Sequence, residues 1–476
     1  MKHKYTIGLA IATAAILSAC SSFLDVSPED KFLDRQVYSD EAKINQTLNG
    51  FYVQMAETSL YGATLTSTYI EILGQQYNIP TGYHEAKDFQ TYTYTQTRPR
   101  ETFATVWEKS YSLILQINLF IESLSATEGV VIQDKKDILL GEAYAMRALL
   151  HFDLFRLFGP LYDSETPATS IPYYDKADVN ANGFLSSDKF MECVIADLLL
   201  AEDMLKNDPV ITGGIQDELL DDGKDFYRYR NRRLNYYAVK GLQARAYLCC
   251  GDTGKAHTAA KKVIDDGGKW FPWLEYSKIV SEQNNPDRIF SPEIIFGLIS
   301  KDIYNVQARY FNASLGDSQI MAVRSANLPT LFESNDNDYR YKTTWKTTEK
   351  TYPTFFKYAD VASSSSKFRN FQPMLRKSEM YYILAETETD GEKAIGYLNE
   401  VRANRGLVAL PVTANIATEL QKEYRKEFLG EGQLFFFYKR RNVARIPSGI
   451  SSGTVTMDAT KYVVPIPEDE MSYRKS

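Results

Sequence analysis

Apolar residues recur at spacings of three and four along much of the chain, the period that lines one face of an α-helix. Ile44, Leu48, Phe51 and Met55 form the first such stripe. Trp107, Tyr111, Ile114, Ile117, Ile121 and Leu124 continue a second over about five turns. Leu140, Tyr144, Ala148, Phe152 and Phe155 make a third, stopped by Gly159-Pro160, and Phe190, Val194, Leu198, Ala201 and Leu205 a fourth. Each predicts a helix with one core-facing side.

Two later segments resemble each other. Residues 244–252 lead into Lys255-Ala256 with Val263 seven residues on; Tyr382 to Glu386 leads through Asp390-Gly391 into Lys393-Ala394 with Val401 seven residues on. Both read as helix, Gly/Asp turn, helix, with alanine where the second helix approaches the first. That patterning is tetratricopeptide-like, and such hairpins bury their apolar faces only by stacking.

Between the stripes the period fades. Residues 74–100 carry Tyr77, Tyr83, Tyr92 and Tyr94 with Asn78, His84, Asp88 and Arg98 among them. Residues 160–182 are a Pro/Asp/Asn-rich connector, and Arg228, Arg230, Arg232 and Arg233 in a second polar stretch read as a solvated run. From 269 to 372 only residues 293–299 look like a strand. The expectation is a mostly α fold with its scaffold mainly in 41–72, 101–266 and 373–440. A loop-rich, minor-β side falls in 73–100 and 267–372, all within a single domain, 41–476.

Composition then narrows the function. Hydrophobic residues at 44% and charged residues at 24% are those of a globular protein. A formal charge of -7 argues against a nucleic-acid surface, which needs a basic face. Aromatic residues reach 13%, with Tyr 33 and Phe 25 but Trp 4, and tyrosine suits ligands that offer both apolar faces and hydroxyls. The first residues carry Lys2 and Lys4, then an apolar or small stretch from Ile7 to Ala19, too short to span a bilayer: a signal peptide over 1–19. It ends Leu17-Ser18-Ala19-Cys20, the spelling of a bacterial lipobox, which makes Cys20 the lipid attachment site and 20–40 a lipidated tether. Cys193, Cys249 and Cys250 remain, an odd number and no disulfide framework.

Catalytic spellings fail on chemistry. Gly449-Ile450-Ser451-Ser452-Gly453 fits a nucleophile elbow, but it lies in a Gly/Ser loop with no histidine after it, and it reads as a turn. His84-Glu85 begins a zinc motif whose second histidine position holds Asp88. Residues Gly254-Lys255 lack the first glycine and the Ser or Thr of a phosphate loop. His151 and His257 fall on predicted helices and read as structural. Asn335 to Asp338 lacks the glycine and distal glutamate of a calcium loop and reads as a solvated turn. No enzyme, metal site or cofactor is expected.

Behind Cys20, Phe23-Leu24-Asp25-Val26-Ser27-Pro28 is similar to the opening of the SusD/RagB family of Bacteroidetes outer-membrane nutrient-binding lipoproteins. The resemblance continues in order through Trp107-x-x-x-Tyr111, residues 142–160, Asp338-Tyr339-Arg340, residues 379–386, residues 397–407, Arg425 to Gly432 with Phe435 to Arg440, and Pro465-Ile466-Pro467. The asparagine-rich tail usual after that last element is missing, as is a strong acidic run after Cys20.

The resemblance implies a binding protein: an α-superhelix of about four degenerate tetratricopeptide-like helix pairs with the ligand site on the opposite, loop-rich side. It also implies a lipid anchor at Cys20 in the outer membrane, facing the cell surface, and capture of oligosaccharide for a SusC-like TonB-dependent outer-membrane transporter. Capture of peptide or glycopeptide by the same fold is the alternative. For the site, the first tyrosine-rich insertion is expected to supply Tyr77, Tyr83, Tyr92 and Tyr94 as stacking rings and Asn78, Asp88 and Arg98 as polar contacts. Tyr304, Tyr310 and Trp345 are second-line candidates, and Trp107 and Arg147 are assigned to the scaffold.

Overall fold

Asp40 opens the first helix, α1 (Glu41–Met55), its carboxylate accepting from the Ala42 and Lys43 amides at 2.7 and 3.3 Å. The computed structural model describes residues 38–178, 180–218, 220 and 225–474; the signal peptide, Cys20 and most of the tether lie outside the described residues. Ile44, Leu48, Phe51 and Met55 are buried as their spacing predicts, and Tyr52 joins them.

The remaining long helices follow the stripes. They are α2 (Thr97–Ala126), α3 (Gln133–Phe158), α4 (Ser187–Met204), α5 (Tyr236–Cys249) and α6 (Thr253–Lys262). After the loop-rich stretch, which carries α7 (Ile303–Tyr310), come α8 (Lys377–Thr387), α9 (Gly391–Ala403), α10 (Ile416–Glu427) and α11 (Leu434–Arg440). Each scaffold helix packs on the next: α2 on α3, α3 on α4, α4 on α5, α5 on α6, α6 on α8, α8 on α9. The central α3 is buried on nearly every side from Ile138 to Phe158, so its apolar residues run all round rather than along one stripe.

The two matching hairpins, α5/α6 and α8/α9, close differently. Gly251 takes a left-handed φ of 76° to leave α5, and Asp252 then caps α6. In the second hairpin Asp390 caps α9 and Gly391 is already its first residue. Ala256 and Ala394 are fully buried, as close helix approach requires.

Strands are few and short. The expected one is β1 (Ile294–Ile299), paired antiparallel with β4 (Phe371–Arg376), from Ile299 opposite Phe371 to Ile294 opposite Arg376. Strands β2 (Trp345–Lys346) and β3 (Thr354–Phe355) pair, as do β5 (Arg445–Pro447) and β6 (Thr454–Thr456). The Gly449–Gly453 elbow spelling is the loop of that last hairpin. No helix among the described residues is long and apolar enough to cross a membrane.

A buried ionic network ties α10 to the loop-rich side. The Glu427 carboxylate accepts from Arg340 at 2.9 Å, from Arg405 at 2.7 and 3.0 Å, and from Arg376. Glu423, one turn earlier, accepts from Arg340, Arg402 and Lys426 at 2.8 to 3.0 Å. Arg405 reaches on to Glu293, and Arg376 to Glu431, which also takes Lys357. Burial alone would raise these carboxyls; the surrounding guanidinium groups overcome it, holding Glu423 at about 2 and Glu427 well below the ordinary range. Removing one member of such a cluster leaves its partners charged and buried, at a cost of about 3–5 kcal/mol.

Two polar readings are overturned by the same physics. Asp338 is no solvated turn: it is fully buried, bridged to Arg340 at 2.7 and 2.9 Å. The arginine run is not solvated either. Arg230 is 0% exposed and spans Asp208 and Glu142, while Arg233 lies over the second carboxylate. A buried charge needs a counter-charge, and here the partners arrive from distant segments.

Arg147 meets Asp197 with two bonds at 2.6 and 2.7 Å, and Asn118 at 2.9 Å, inside the scaffold. His151 is buried too: Nδ1–H donates to the Arg147 carbonyl and Nε2 accepts from the Tyr174 amide. Burial lowers its pKa to about 3, so the ring stays neutral.

Candidate functional site

The tyrosine-rich insertion folds inward. Tyr77 is 0% exposed, its hydroxyl donating to the Ser67 carbonyl at 2.8 Å and its ring set edgewise on Phe311 and Phe355. Tyr92 donates to the Leu73 carbonyl at 2.8 Å and Tyr94 to the Lys461 carbonyl at 2.6 Å, both buried. His84 is buried as well, its nitrogens used by Ala86 and Ile320. A tyrosine whose ring is enclosed and whose hydroxyl already has a partner offers no stacking face, so Tyr77, Tyr92 and Tyr94 are packing groups.

The other candidates scatter. Tyr83 stands 60% exposed at the tip of the insertion. Asn78 and Asp88 are half-buried, the first anchored through its amide to Ala322 and the second accepting from the Thr93 amide through its carbonyl. Trp345 is buried against Phe355, and Tyr304 accepts from the Asn370 amide under the Arg369 guanidinium. Tyr310 lines a large cleft, with Arg98 behind it: Arg98 binds Glu85 at 3.2 Å and approaches the Tyr69 hydroxyl at 3.5 Å.

That cleft, of about 440 Å³, lies between the segment after α1, the first turns of α2, and α7. Residues 58–68 contain six Ser or Thr, and their hydroxyls stitch the backbone into consecutive turns. Thr64 donates to the Thr58 carbonyl, Thr66 to that of Tyr61 and Thr68 to that of Ala63, at 2.9 to 3.0 Å. Gly62 sits where a Cβ would come within 2.2 Å of the Ala56 carbonyl, so the turn closes only around glycine. These three are buried; the accessible hydroxyls of the cleft are those of Thr58, Ser59, Thr102 and Thr105, which can exchange hydrogen bonds with a ligand.

Tyr69 follows, its ring stacked on Phe89 at 4.3 Å and facing Tyr310 edge-on at 6.3 Å. Tyr310 is half-buried; burial, then the neighbouring Tyr69, raises its pKa, so it stays a neutral phenol. Opposite the threonines, α7 brings Asn305 and Arg309, with Asp302 just before it holding the Asn305 amide at 3.0 Å. Arg309 leans over Tyr310 at 5.2 Å and makes no ion pair among the described residues. A small aromatic wall, a guanidinium and a set of hydroxyls and amides can stack on an apolar face and exchange hydrogen bonds. No group of His, Cys, Asp and Glu placed to hold a metal occurs among the described residues.

Two family models match the chain, one described as starch-binding associating with outer membrane over residues 22–211, the other as the SusD family over 308–474. The chain belongs to the SusD family. A SusD-like protein of Bacteroides ovatus is 31% identical over 164 residues, 32% of this chain and 27% of that relative. One from Formosa agariphila is 24% identical over 496 residues, covering 92% and 91%. The crystal structure of a SusD superfamily protein from Bacteroides thetaiotaomicron superposes with a TM-score of 0.69 at 21% identity, over 91% of this chain and 98% of that one. A laminarin-binding SusD-like protein gives 0.65 at 17% identity, over 91% and 97%. The helical array with a loop-rich side is thus the SusD fold, and the family is described by binding rather than catalysis. The SusD resemblance also gains a physical reading: Asp338-Tyr339-Arg340, Arg402 to Arg405 and Glu427 to Glu431 all meet in the buried ionic network.

Proposed function

We propose that this SusD-family chain captures oligosaccharide in the cleft between residues 58–69 and α7 and passes it to a SusC-like TonB-dependent outer-membrane transporter. In this reading residues 1–19 are removed, Cys20 carries the lipid, and 20–40 tether a single domain at the outer-membrane surface. Pairs such as α5/α6 and α8/α9 act as degenerate tetratricopeptide-like units of a rigid scaffold.

The observation that carries the reading is the cleft itself. Sugars present C–H faces that pack on a phenol ring and hydroxyls that exchange hydrogen bonds with Thr, Asn, Asp and Arg. A peptide would call for deep apolar side-chain pockets or a free strand edge, whereas most of the residues lining this cleft are threonine, serine, asparagine or charged, beside two tyrosines, Ala63 and Val306. The starch-binding description of the family and the laminarin ligand of one structural relative agree with this.

The test is titration calorimetry of the mature chain against oligosaccharides that a glycan array selects, beside a peptide library. Tyr310→Ala is expected to weaken the selected glycan at least about tenfold. Binding of peptides only, or unchanged affinity in Tyr310→Ala, overturns the assignment. Cys20→Ser is expected to abolish incorporation of a labelled fatty acid.

A further inference from the structure

A second groove, of about 660 Å³, runs along another side of α2. Thr102 and Thr105 line the first cleft, whereas Ala104, Trp107, Tyr111 and Leu115, at spacings of three and four, line this one. At about 100° per residue the two sets project from faces more than a third of a turn apart.

The floor is aromatic and pinned. Trp107 and Tyr111 meet at 4.7 Å between ring centres, and Tyr111 meets Tyr174 at 5.4 Å. Their polar atoms are engaged by other residues of the groove: the Tyr111 hydroxyl donates to the Pro172 carbonyl at 2.8 Å, and the Trp107 indole N–H to Glu470 at 3.4 Å. The far wall is the short helix Glu468–Tyr473, locked down by Arg474, which binds Glu470 and the Asn182 carbonyl, both at 2.6 Å, and approaches the Tyr174 hydroxyl at 3.3 Å. That wall presents Tyr473, 65% exposed. On the rim, the carboxylates of Glu108, Asp178 and Asp469 and the one ammonium of Lys176 are exposed and make no ion pair among the described residues.

We propose that this groove is a second carbohydrate site, taking a neutral glycan, and that with the first cleft it holds one long chain at two points. The proposal rests on the glycan-capture reading above. The half-buried Tyr111 and Tyr174 rings and the exposed Tyr473 supply the stacking surface, with Trp107 buried beneath them, and rings already held in place stack at little entropic cost. Rim carboxylates accept from sugar hydroxyls, and Glu108, Asp178 and Asp469 outweigh Lys176, so the rim disfavours uronate or sulfate groups. Residues 105 and 111 lie about 9 Å apart along the axis of a helix about 10–12 Å across, so one polymer can reach both clefts. Two linked contacts convert the second binding into an intramolecular event, which can raise avidity by about 10²–10⁴.

The experiment is affinity electrophoresis of the mature chain through gels holding laminarin, other neutral polysaccharides, or alginate as a polyuronate. Calorimetry with short oligosaccharides of each retarding polymer accompanies it. Three forms are compared with wild type: Tyr310→Ala, the surface double variant Tyr473→Ala/Asp469→Asn, and their combination. Expected are two oligosaccharide sites per chain in wild type and one in either partial variant. A loss of at least about tenfold in polymer affinity is expected in each partial variant, and no retardation in the combination. One site in wild type, with the Tyr473/Asp469 variant unchanged, overturns the second site and leaves the first standing. Loss confined to the Tyr473/Asp469 variant overturns the first cleft instead. Retardation by alginate through the second groove overturns its neutral assignment, and no retardation by any polymer overturns both.

Discussion

Residues 77–94 and residues 58–69 are both rich in hydroxyl groups, and the fold uses them in opposite ways. In the first, the Tyr77, Tyr92 and Tyr94 phenols end on backbone carbonyls and their rings fill the core. In the second, Thr64 and Thr68 also end on backbone carbonyls and secure the turns from within, while Thr58 and Ser59, exposed and half-buried, keep their hydroxyls at the cleft that Tyr310 lines. What separates an open polar surface from packing is which hydroxyls stay accessible, and tyrosine content alone carries no such information.

The comparison breaks most sharply on the buried side. Tyr77→Ala is expected to cost about 3–5 kcal/mol, read as a fall in denaturation midpoint; a midpoint within error of wild type would place that ring outside the core. Glu427→Ala, which strands Arg340, Arg376 and Arg405, belongs to the same range, and calorimetric unfolding checks it. On the open side the balance reverses: Tyr310→Ala removes about 1.4 kcal/mol or more of glycan affinity, a tenfold change, with an unaltered melting temperature. Equal losses in both assays would erase the distinction.

Glu71 sits between the two regions and sharpens the contrast by pH. Its Oε1 accepts from the Gly432 amide at 2.6 Å, and burial pushes its pKa up to about 8, against the helping amide and Lys357. The folded state therefore keeps a proton that the unfolded chain gives up near pH 4.3. Stability from this group is full below that value and is lost as pH rises toward about 8. Glu71→Gln is expected to flatten the decline of melting temperature between pH 5 and 8; an unchanged slope removes Glu71 as its source. Smallest of all, Tyr83→Ala at the exposed tip should change stability by less than about 0.5 kcal/mol and leave glycan affinity alone, as paired melting and titration would record.

The scaffold was legible because helical packing writes itself locally: the four apolar stripes mark α1 to α4, and residues 293–299 mark β1. Of the candidate rings, Tyr310 is the one that lines the cleft of the proposed site. The threonine-rich turn was absorbed into the expected scaffold segment 41–72, although Gly62 and six Ser or Thr in eleven residues carry no helical period. Tyr77 and Tyr92 misled because their burial depends on Phe311, Phe355 and Leu73, partners that no local pattern announces. Arg230 misled for the same reason, with Glu142 lying 88 residues away.

The Arg405–Glu293 bridge spans 112 residues, and Arg376 finds its counter-charges only at Glu427 and Glu431. A chain truncated ahead of α10 would keep Arg405 on Glu293 but strand Arg376 and one edge of Arg340 in a dry interior, so partial products have no comfortable resting state. Resistance to proteases should accordingly arrive in one step, when the segment from α10 onward has been delivered.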